Sequence, residues 1–419
     1  MTDAIIIGAG AAGLMAAREI ARAGRSVRLL EASDRIGGRV HTIEDPRAGV
    51  PIELGAEFVH GDAPETTRLI DEARLVTVPV LGEHYRSDDG ELSPQGAAWK
   101  RMSQVFKLMN PRRTVDRSFQ DFLDEKPGGA RLREERKLAF GFVQGFNGAD
   151  VARISEKSIA EQGDPTEGAM DARRIVRGYG ALLHHLRQTT GAEILLRTKV
   201  RRVEWSDGSV RVVDAGGGVY EARTLVVTVP LPMLQDGDIE FAPALPLVTR
   251  AARQMVMGHV QRVTIVLKER FWEKKVEALS YLHAPERPFN VWWTQNPLQS
   301  PTLVGWSGGP PAQALTESGD VASVAIAELA RVFAMRRARA ESMVESLHTY
   351  DWSRDPHVRG AYSYIGVGGT SAPRKLARAV DRTLFFAGEA TEAETEGTVE
   401  AALVSGKRAG RQAVERLAT

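Results

Sequence analysis

A chain of 419 residues, 43% hydrophobic and 26% charged, is too long for one ordinary core and has the profile of a globular protein built from two packed domains. Its 55 basic and 54 acidic side chains leave a formal charge of +1, so nothing electrostatic argues for nucleic acid as a partner. There is no cysteine, which excludes disulfides, thiolate chemistry and cysteine-ligated metals, and no apolar run reaches the roughly 20 residues that span a bilayer.

The first predicted element is an apolar strand, Ala4-Ile5-Ile6-Ile7, of the kind buried on both faces. It starts too early to leave room for a signal peptide, so the expectation is a cytoplasmic protein. The strand runs into Gly8-Ala9-Gly10-Ala11-Ala12-Gly13, and Leu14, Ala17, Ile20 and Ala21 then recur at helical spacing up to Gly24. A second strand, Val27–Leu30, ends at Glu31. The unit has the logic of a dinucleotide site. Gly8 permits the tight turn, Gly10 lets backbone approach a pyrophosphate, and Gly13 lets the helix pack closely on the strand. The first helical turn, Ala12 included, offers N–H groups to phosphate, and Glu31 stands where a ribose-binding carboxylate belongs.

After Ala32 come Arg35, Gly37, Gly38 and Arg39, glycines for close backbone approach flanked by two guanidinium groups. Glu53-Leu54-Gly55-Ala56-Glu57-Phe58-Val59-His60-Gly61 follows. Residues 81–171 read as a largely helical insert, with Trp99, Val105, Phe106, Phe119, Phe122, Leu138 and Phe142 at core spacings. Thr224–Val229 is another buried strand, and residues 241–374 mix strands and helices. Near the end, the strand Thr383–Ala387 leads into Gly388-Glu389, and Thr398 caps a helix whose apolar stripe includes Val399, Ala402 and Leu403. Glu392, Glu394 and Glu396 precede that helix, either as ordinary acids at a helix N-terminus or as an attractor of cationic substrate.

The run Glu31-x-x-x-Arg35-x-Gly37-Gly38-Arg39 and the stretch Phe385-Phe386-Ala387-Gly388-Glu389 with Gly397-Thr398-Val399 resemble the signatures of the flavin-containing amine oxidases. The stretch Glu53–Gly61 is similar to the "E-L-G-A-x-W-I-H-G" of polyamine oxidases, and the likeness extends from Ile5 to Gly410. It implies an α/β fold, with a Rossmann-like FAD-binding domain of the glutathione-reductase type assembled from residues 1–80, 172–240 and 375–419. A discontinuous, mixed α+β substrate domain comes from residues 81–171 and 241–374. FAD is held without a covalent bond; the resemblance puts Gly8, Gly10, Ala12, Gly13, Glu31, Ala32, Arg35, Gly38, Arg39, Val200, Gly388, Glu389, Thr398 and Val399 against it.

By the same resemblance, His60 sits beside the substrate amine, and Tyr362 or Tyr364 supplies an aromatic wall. Arg262 falls where most of the family has a lysine that holds water at flavin N5. A fixed cation there suits reduced flavin, a substrate carboxylate, or an acid partner. The implied activity is oxidation of an amine, a polyamine or secondary amine among the candidates, to an imine with O2 as acceptor. Three alternatives stay open: an L-amino-acid oxidase with Arg262 or Arg86 on the carboxylate, a flavin dehydrogenase or desaturase using another acceptor, and a catalytically silent flavin-bound interaction protein. Monomer and homodimer are both compatible with the sequence.

Overall fold

The computed structural model describes residues 2–165 and 171–418, with the side chains of residues 96–100, Trp99 among them, outside the described set. At its centre five parallel strands run in the order Glu193–Leu195, Val27–Leu30, Thr2–Ile7, Val219–Val227, Leu384–Phe386. The first strand is apolar without alternation because both its faces are covered. Ala4 and Ile6 point into one core, Ile5 and Ile7 into another, and all four are buried. The strand Val219–Val227 serves two sets of neighbours in turn within one eight-stranded sheet. Its second half joins the parallel set, while its first half pairs antiparallel with Ser209–Asp214, which in turn pairs with Val200–Ser206.

Two helices lie side by side against this sheet, Ala11–Arg22 and Val399–Leu417. Small residues set their separation. A Cβ on Gly406 would stand 2.2 Å from the Ala12 carbonyl oxygen, and one on Gly410 would stand 2.8 Å from that of Ala16. Both contacts have the same sequence offset, so the helices are parallel. Residue 405 then lies level with Ala11, and the last helix begins six residues before it. Its N-terminus therefore projects about 9 Å beyond that of the first helix at 1.5 Å per residue.

A second, seven-stranded sheet runs in the order Val344–Thr349, Val260–Leu267, Thr302–Gly308, Val291–Thr294, Leu279–His283, Glu83–Asp88, Glu91–Pro94. Alternation divides its side chains. Val263, Ile265, Leu282 and Trp292 face a core shared with the helices Val321–Val332 and Arg337–Met343. Arg262, Trp306, Trp293, Tyr281, His283 and His84 face the other way, into a cavity. The helices Gly96–Phe106, Phe119–Asp124 and Arg133–Phe146 pack around a separate core that includes Val105, Phe106, Phe119 and Phe122.

The segment expected to be largely helical from residue 81 departs from that reading at its start. Glu83–Asp88 and Glu91–Pro94 form a hairpin at the edge of the second sheet. Its turn residues, Asp89 at φ 48° and Gly90 at φ 95°, both have the positive φ that the tight hairpin connection requires. Asp-Gly was the local signal for it.

Candidate active site

A single elongated cavity of about 1220 Å³ joins the C-terminal edge of the parallel sheet to the inner face of the second sheet. Its first end is built from the strand–turn–helix unit. Gly8 adopts φ +103°, and a Cβ there would stand 2.6 Å from Thr228 Oγ1; a Cβ on Gly13 would lie 2.0 Å from the Gly8 carbonyl oxygen. Neither position tolerates a larger side chain, which leaves the turn tight and the helix start exposed to the cavity. Gly10, Ala11 and Ala12 line it, whereas Gly13 is turned into the strand contact behind them. The buried carboxylate of Glu31 is fixed by the Ala9 N–H at 2.6 Å and by the N–H and hydroxyl of Ser33 at 2.9 and 2.8 Å. Ala32 and Val200 line the same end.

The two arginines of the next loop do different things. Arg35 holds the loop's own shape: its Nη2 donates to the Gly38 carbonyl at 2.8 Å and its Nη1 to those of Ile36 and Val40 at 3.2 Å. Gly38, at φ +56°, stacks against the Gly10 backbone, with a virtual Cβ 3.6 Å from Gly10 Cα. Arg39 reaches across the molecule instead. Its Nη1 donates to Glu389 Oε1 at 2.7 Å and to the Ala361 carbonyl at 2.9 Å. Glu389 also accepts from Ser363 Oγ at 2.6 Å, so the N-terminal loop, the C-terminal segment and residues 361–363 meet on one buried carboxylate. Gly388 joins the lining, as do Thr398, whose Oγ1 accepts from the Ala401 N–H at 3.0 Å, and Val399, the first residue of the last helix. Two helix N-termini thus open, staggered, into one space.

Beyond them the cavity is walled by aromatic rings. Trp293 and Trp306 lie 5.7 Å apart centre to centre, and the Tyr362 hydroxyl donates to the Phe146 carbonyl at 2.6 Å. His60, on the strand Phe58–His60, packs edge-on against Phe146 at 5.5 Å and against Phe58 at 5.7 Å. Tyr364 does not belong to this wall. It is buried in the helical core, where its hydroxyl accepts from the Asp150 N–H at 3.4 Å, because its strand, Ser363–Ile365, pairs with Met255–Met257 and turns that ring away from the cavity.

Arg262 faces the cavity with both terminal nitrogens engaged, while its buried Nε has no hydrogen-bond partner among the described residues. Nη2 donates to Glu57 Oε2 at 2.6 Å and Nη1 to the Gly55 carbonyl at 3.2 Å, and the guanidinium lies 5.6 Å above the Trp293 ring. Glu57 accepts as well from Arg174 Nε at 2.6 Å and from Trp293 Nε1 at 3.2 Å. Burial would raise the Glu57 carboxyl, and the charges of Arg262 and Arg174 outweigh it, holding the group below the usual carboxylate range. Arg262 is thus paired with an acid. Arg86, the other candidate clamp, pairs with Asp88 at the surface of the edge hairpin, away from the cavity lining. Nothing local marks Glu57 and Arg174 as partners: an acid and a base 117 residues apart have no shared pattern until Phe58–His60 pairs with Ala172–Ile175.

Glu396 also lines the cavity. Its Oε1 accepts from Gln162 Nε2 at 3.0 Å, its Oε2 has no hydrogen-bond partner among the described residues, and burial pushes its carboxyl up to about 8. Glu392 and Glu394 lie on the same lining. Among the described residues no helix is long and apolar enough to cross a membrane, and no group of three metal-binding side chains is present.

A parallel sheet that delivers two staggered helix N-termini and a buried carboxylate to one cavity, closed by an aromatic wall from a second sheet, has the arrangement of a dinucleotide-binding protein. Residues 11–414 match the family described as flavin containing amine oxidoreductase, and the chain belongs to that family. It is 28% identical to lysine-specific histone demethylase 2 of Homo sapiens over 96% of this chain and 52% of that protein, so it spans about half the length of that relative. It is also 28% identical to polyamine oxidase 2 of Arabidopsis thaliana over 96% of this chain and 86% of that one. Among solved structures, cyclohexylamine oxidase from Brevibacterium oxydans IH-35A shares the fold at a TM-score of 0.83 and 22% identity, with all of both chains covered.

Proposed function

We propose that the chain holds one FAD without a covalent bond and oxidises a C–N bond of an amine to an imine, with O2 as the final acceptor. The reading is carried by one observation: a single cavity presents both helix N-termini at one end and an aromatic chamber at the other. Glu31 would accept from the adenosine ribose hydroxyls, the Val200 backbone would flank the adenine, and the N–H groups from Ala11 onward would meet the diphosphate. Arg39, held by Glu389, would fix the junction of the two ends. The start of the last helix at Thr398 and Val399 would face the isoalloxazine and favour negative charge there.

FAD, when bound, would supply the two-electron acceptor for oxidation of the carbon beside the nitrogen, with O2 as the final oxidant. The side chains handle the substrate. Trp293, Trp306, Tyr362 and Phe146 surround it with low-polarity surface, which disfavours the ammonium form. His60 would accept the proton that leaves the nitrogen. Arg262 serves the chamber as a fixed, paired cation. With its fork committed to Glu57 and Gly55 it does not offer a carboxylate clamp, which favours amines over amino acids as substrates.

The test is to mix the FAD-loaded protein anaerobically with panels of amines and amino acids and then admit air. Bleaching by amines followed by stoichiometric peroxide is the expected result. Bleaching by amino acids alone overturns the amine reading, and bleaching by amines without peroxide replaces O2 with another acceptor.

A further inference from the structure

Arg262 borders two spaces. One is the aromatic chamber; the other is a small pocket of about 20 Å³, which it shares with Glu53, Glu57, Arg174, Thr264 and Gln295. None of Trp293, Trp306, Tyr362 and Phe146 lines this second space. Alternation along the strand Val260–Leu267 puts Arg262 and Thr264 on one face, while Val263 and Ile265 enter the core on the other. The pocket has room for one water molecule, whose centre needs roughly 10–15 Å³.

The polar groups around it have bonds to spare. Arg262 and Thr264 are 6% and 2% exposed, yet Arg262 Nε and Thr264 Oγ1 have no hydrogen-bond partner among the described residues. A guanidinium N–H left unpaired in the interior is costly, because it has lost its hydration and gained nothing. Glu53 can accept more than it does. Its Oε1 accepts from the Tyr179 N–H at 2.6 Å and its Oε2 from Thr42 Oγ1 at 2.7 Å, and a carboxylate offers about four acceptor sites. Burial pushes its carboxyl up to about 7 against those donors and the charge of Arg262, so a further donor would help to keep it ionised. The pocket therefore calls for a ligand that both accepts and donates. A cation would meet the Arg262 N–H, and an anion would meet the carboxylates of Glu53 and Glu57.

We infer that this pocket binds one water molecule, which accepts from Arg262 Nε and Thr264 Oγ1 and donates to Glu53, and that Thr264 acts through it as a positioning residue for the cation of the substrate chamber. Gly55 and Glu57 hold the two terminal nitrogens of Arg262, and the water holds the third. The guanidinium plane is then fixed at all three nitrogens, 5.6 Å from the Trp293 ring. Thr264 does not line the chamber, so its hydroxyl reaches the reaction only by way of the water and Arg262. The water site stands on the pocket alone; the positioning role rests on the amine-oxidising reading.

The experiment pairs a high-resolution crystal structure of the FAD-loaded protein, grown with bromide, with anaerobic flavin reduction by amine in Thr264→Val and Thr264→Ser. One peak of water density within hydrogen-bond distance of both Arg262 Nε and Thr264 Oγ1 is expected, without anomalous signal. A pocket without density, or an anomalous peak marking a halide, overturns the water site. Thr264→Val should slow reduction at saturating amine at least about fivefold, the scale of one lost hydrogen bond to a charged group, and Thr264→Ser should restore it to within about twofold. Reduction unchanged in Thr264→Val, or not restored by Thr264→Ser, overturns the positioning role. If Thr264→Val does not fold, the wild-type density and a Thr264→Ser protein that keeps both the peak and the rate decide the matter. A wild-type flavin that no amine bleaches overturns the amine reading and the positioning role with it, while the density still decides the water site.

Discussion

Arg262 Nη2 donates to Glu57 Oε2 over 2.6 Å, and the two side chains are 6% and 5% exposed. Because Arg174 holds the other oxygen of the same carboxylate, one buried negative charge serves two buried positive ones. Removing the acid is therefore the severe change. Glu57→Gln should cost about 3–5 kcal/mol of stability, the usual penalty for stranding buried charge. Denaturant unfolding of the variant checks it; a midpoint within error of the wild type would mean that the cluster is solvated.

The helix pair that carries the cofactor end has no room for a methyl group at Gly406. Gly406→Ala should push the last helix away from the first, with an overpacking cost of about 1–3 kcal/mol, and move Thr398 and Val399 relative to the start of the first helix. FAD affinity, measured by fluorescence on titration, should fall along with the melting temperature. Unchanged FAD affinity would dissociate the helix contact from the cofactor end.

The two tyrosines in the chain's last quarter, Tyr362 and Tyr364, should separate cleanly. Tyr362→Ala removes part of the chamber wall and should raise KM for amine or lower kcat/KM with little change in stability. Tyr364→Ala opens a hole in the helical core and should cost about 3–5 kcal/mol, while Tyr364→Phe, which loses one long bond to the Asp150 N–H, should cost no more than about 1 kcal/mol. Steady-state kinetics beside thermal melts give both readouts, and an activity loss confined to Tyr364→Phe would reverse the assignment.

Glu396 gives the protein a pH dependence of predictable sign. Burial lifts its carboxyl from 4.5 to about 8, with the charge of Glu389 adding to the rise. The folded protein thus keeps a proton that the unfolded chain has released. That contribution to stability is complete below about 4.5 and is lost as pH climbs toward about 8. Glu396→Gln should match the wild type at pH 4 and melt at a higher temperature than it at pH 9. Identical slopes for the two proteins would remove Glu396 as the titrating group.

The local chemistry of the cofactor end was legible because it is local. Gly8, Gly10 and Gly13 lie between a strand and a helix, Glu31 ends the next strand, and Thr398 caps the last helix, all within short windows of chain. At the aromatic end of the cavity, family motifs reached His60, Arg262 and Tyr362, all of which line it. Tyr362 and Tyr364 could not be told apart, since two residues of spacing on a short strand do not say which core each ring enters. The wall of Trp306, Trp293, Tyr281 and His84 comes from four strands brought together by pairing, and no window of sequence contains it. The same holds for Glu57 with Arg174, and for the edge hairpin the Asp-Gly turn was present but outweighed by the helical reading around it.

The absorbance spectrum of the purified protein, taken before and after unfolding and filtration, tests the central claim most directly. The expected result is a flavin spectrum at one FAD per chain that passes entirely into the filtrate on unfolding. A protein that stays colourless after incubation with FAD, or colour that remains with the polypeptide, would contradict it.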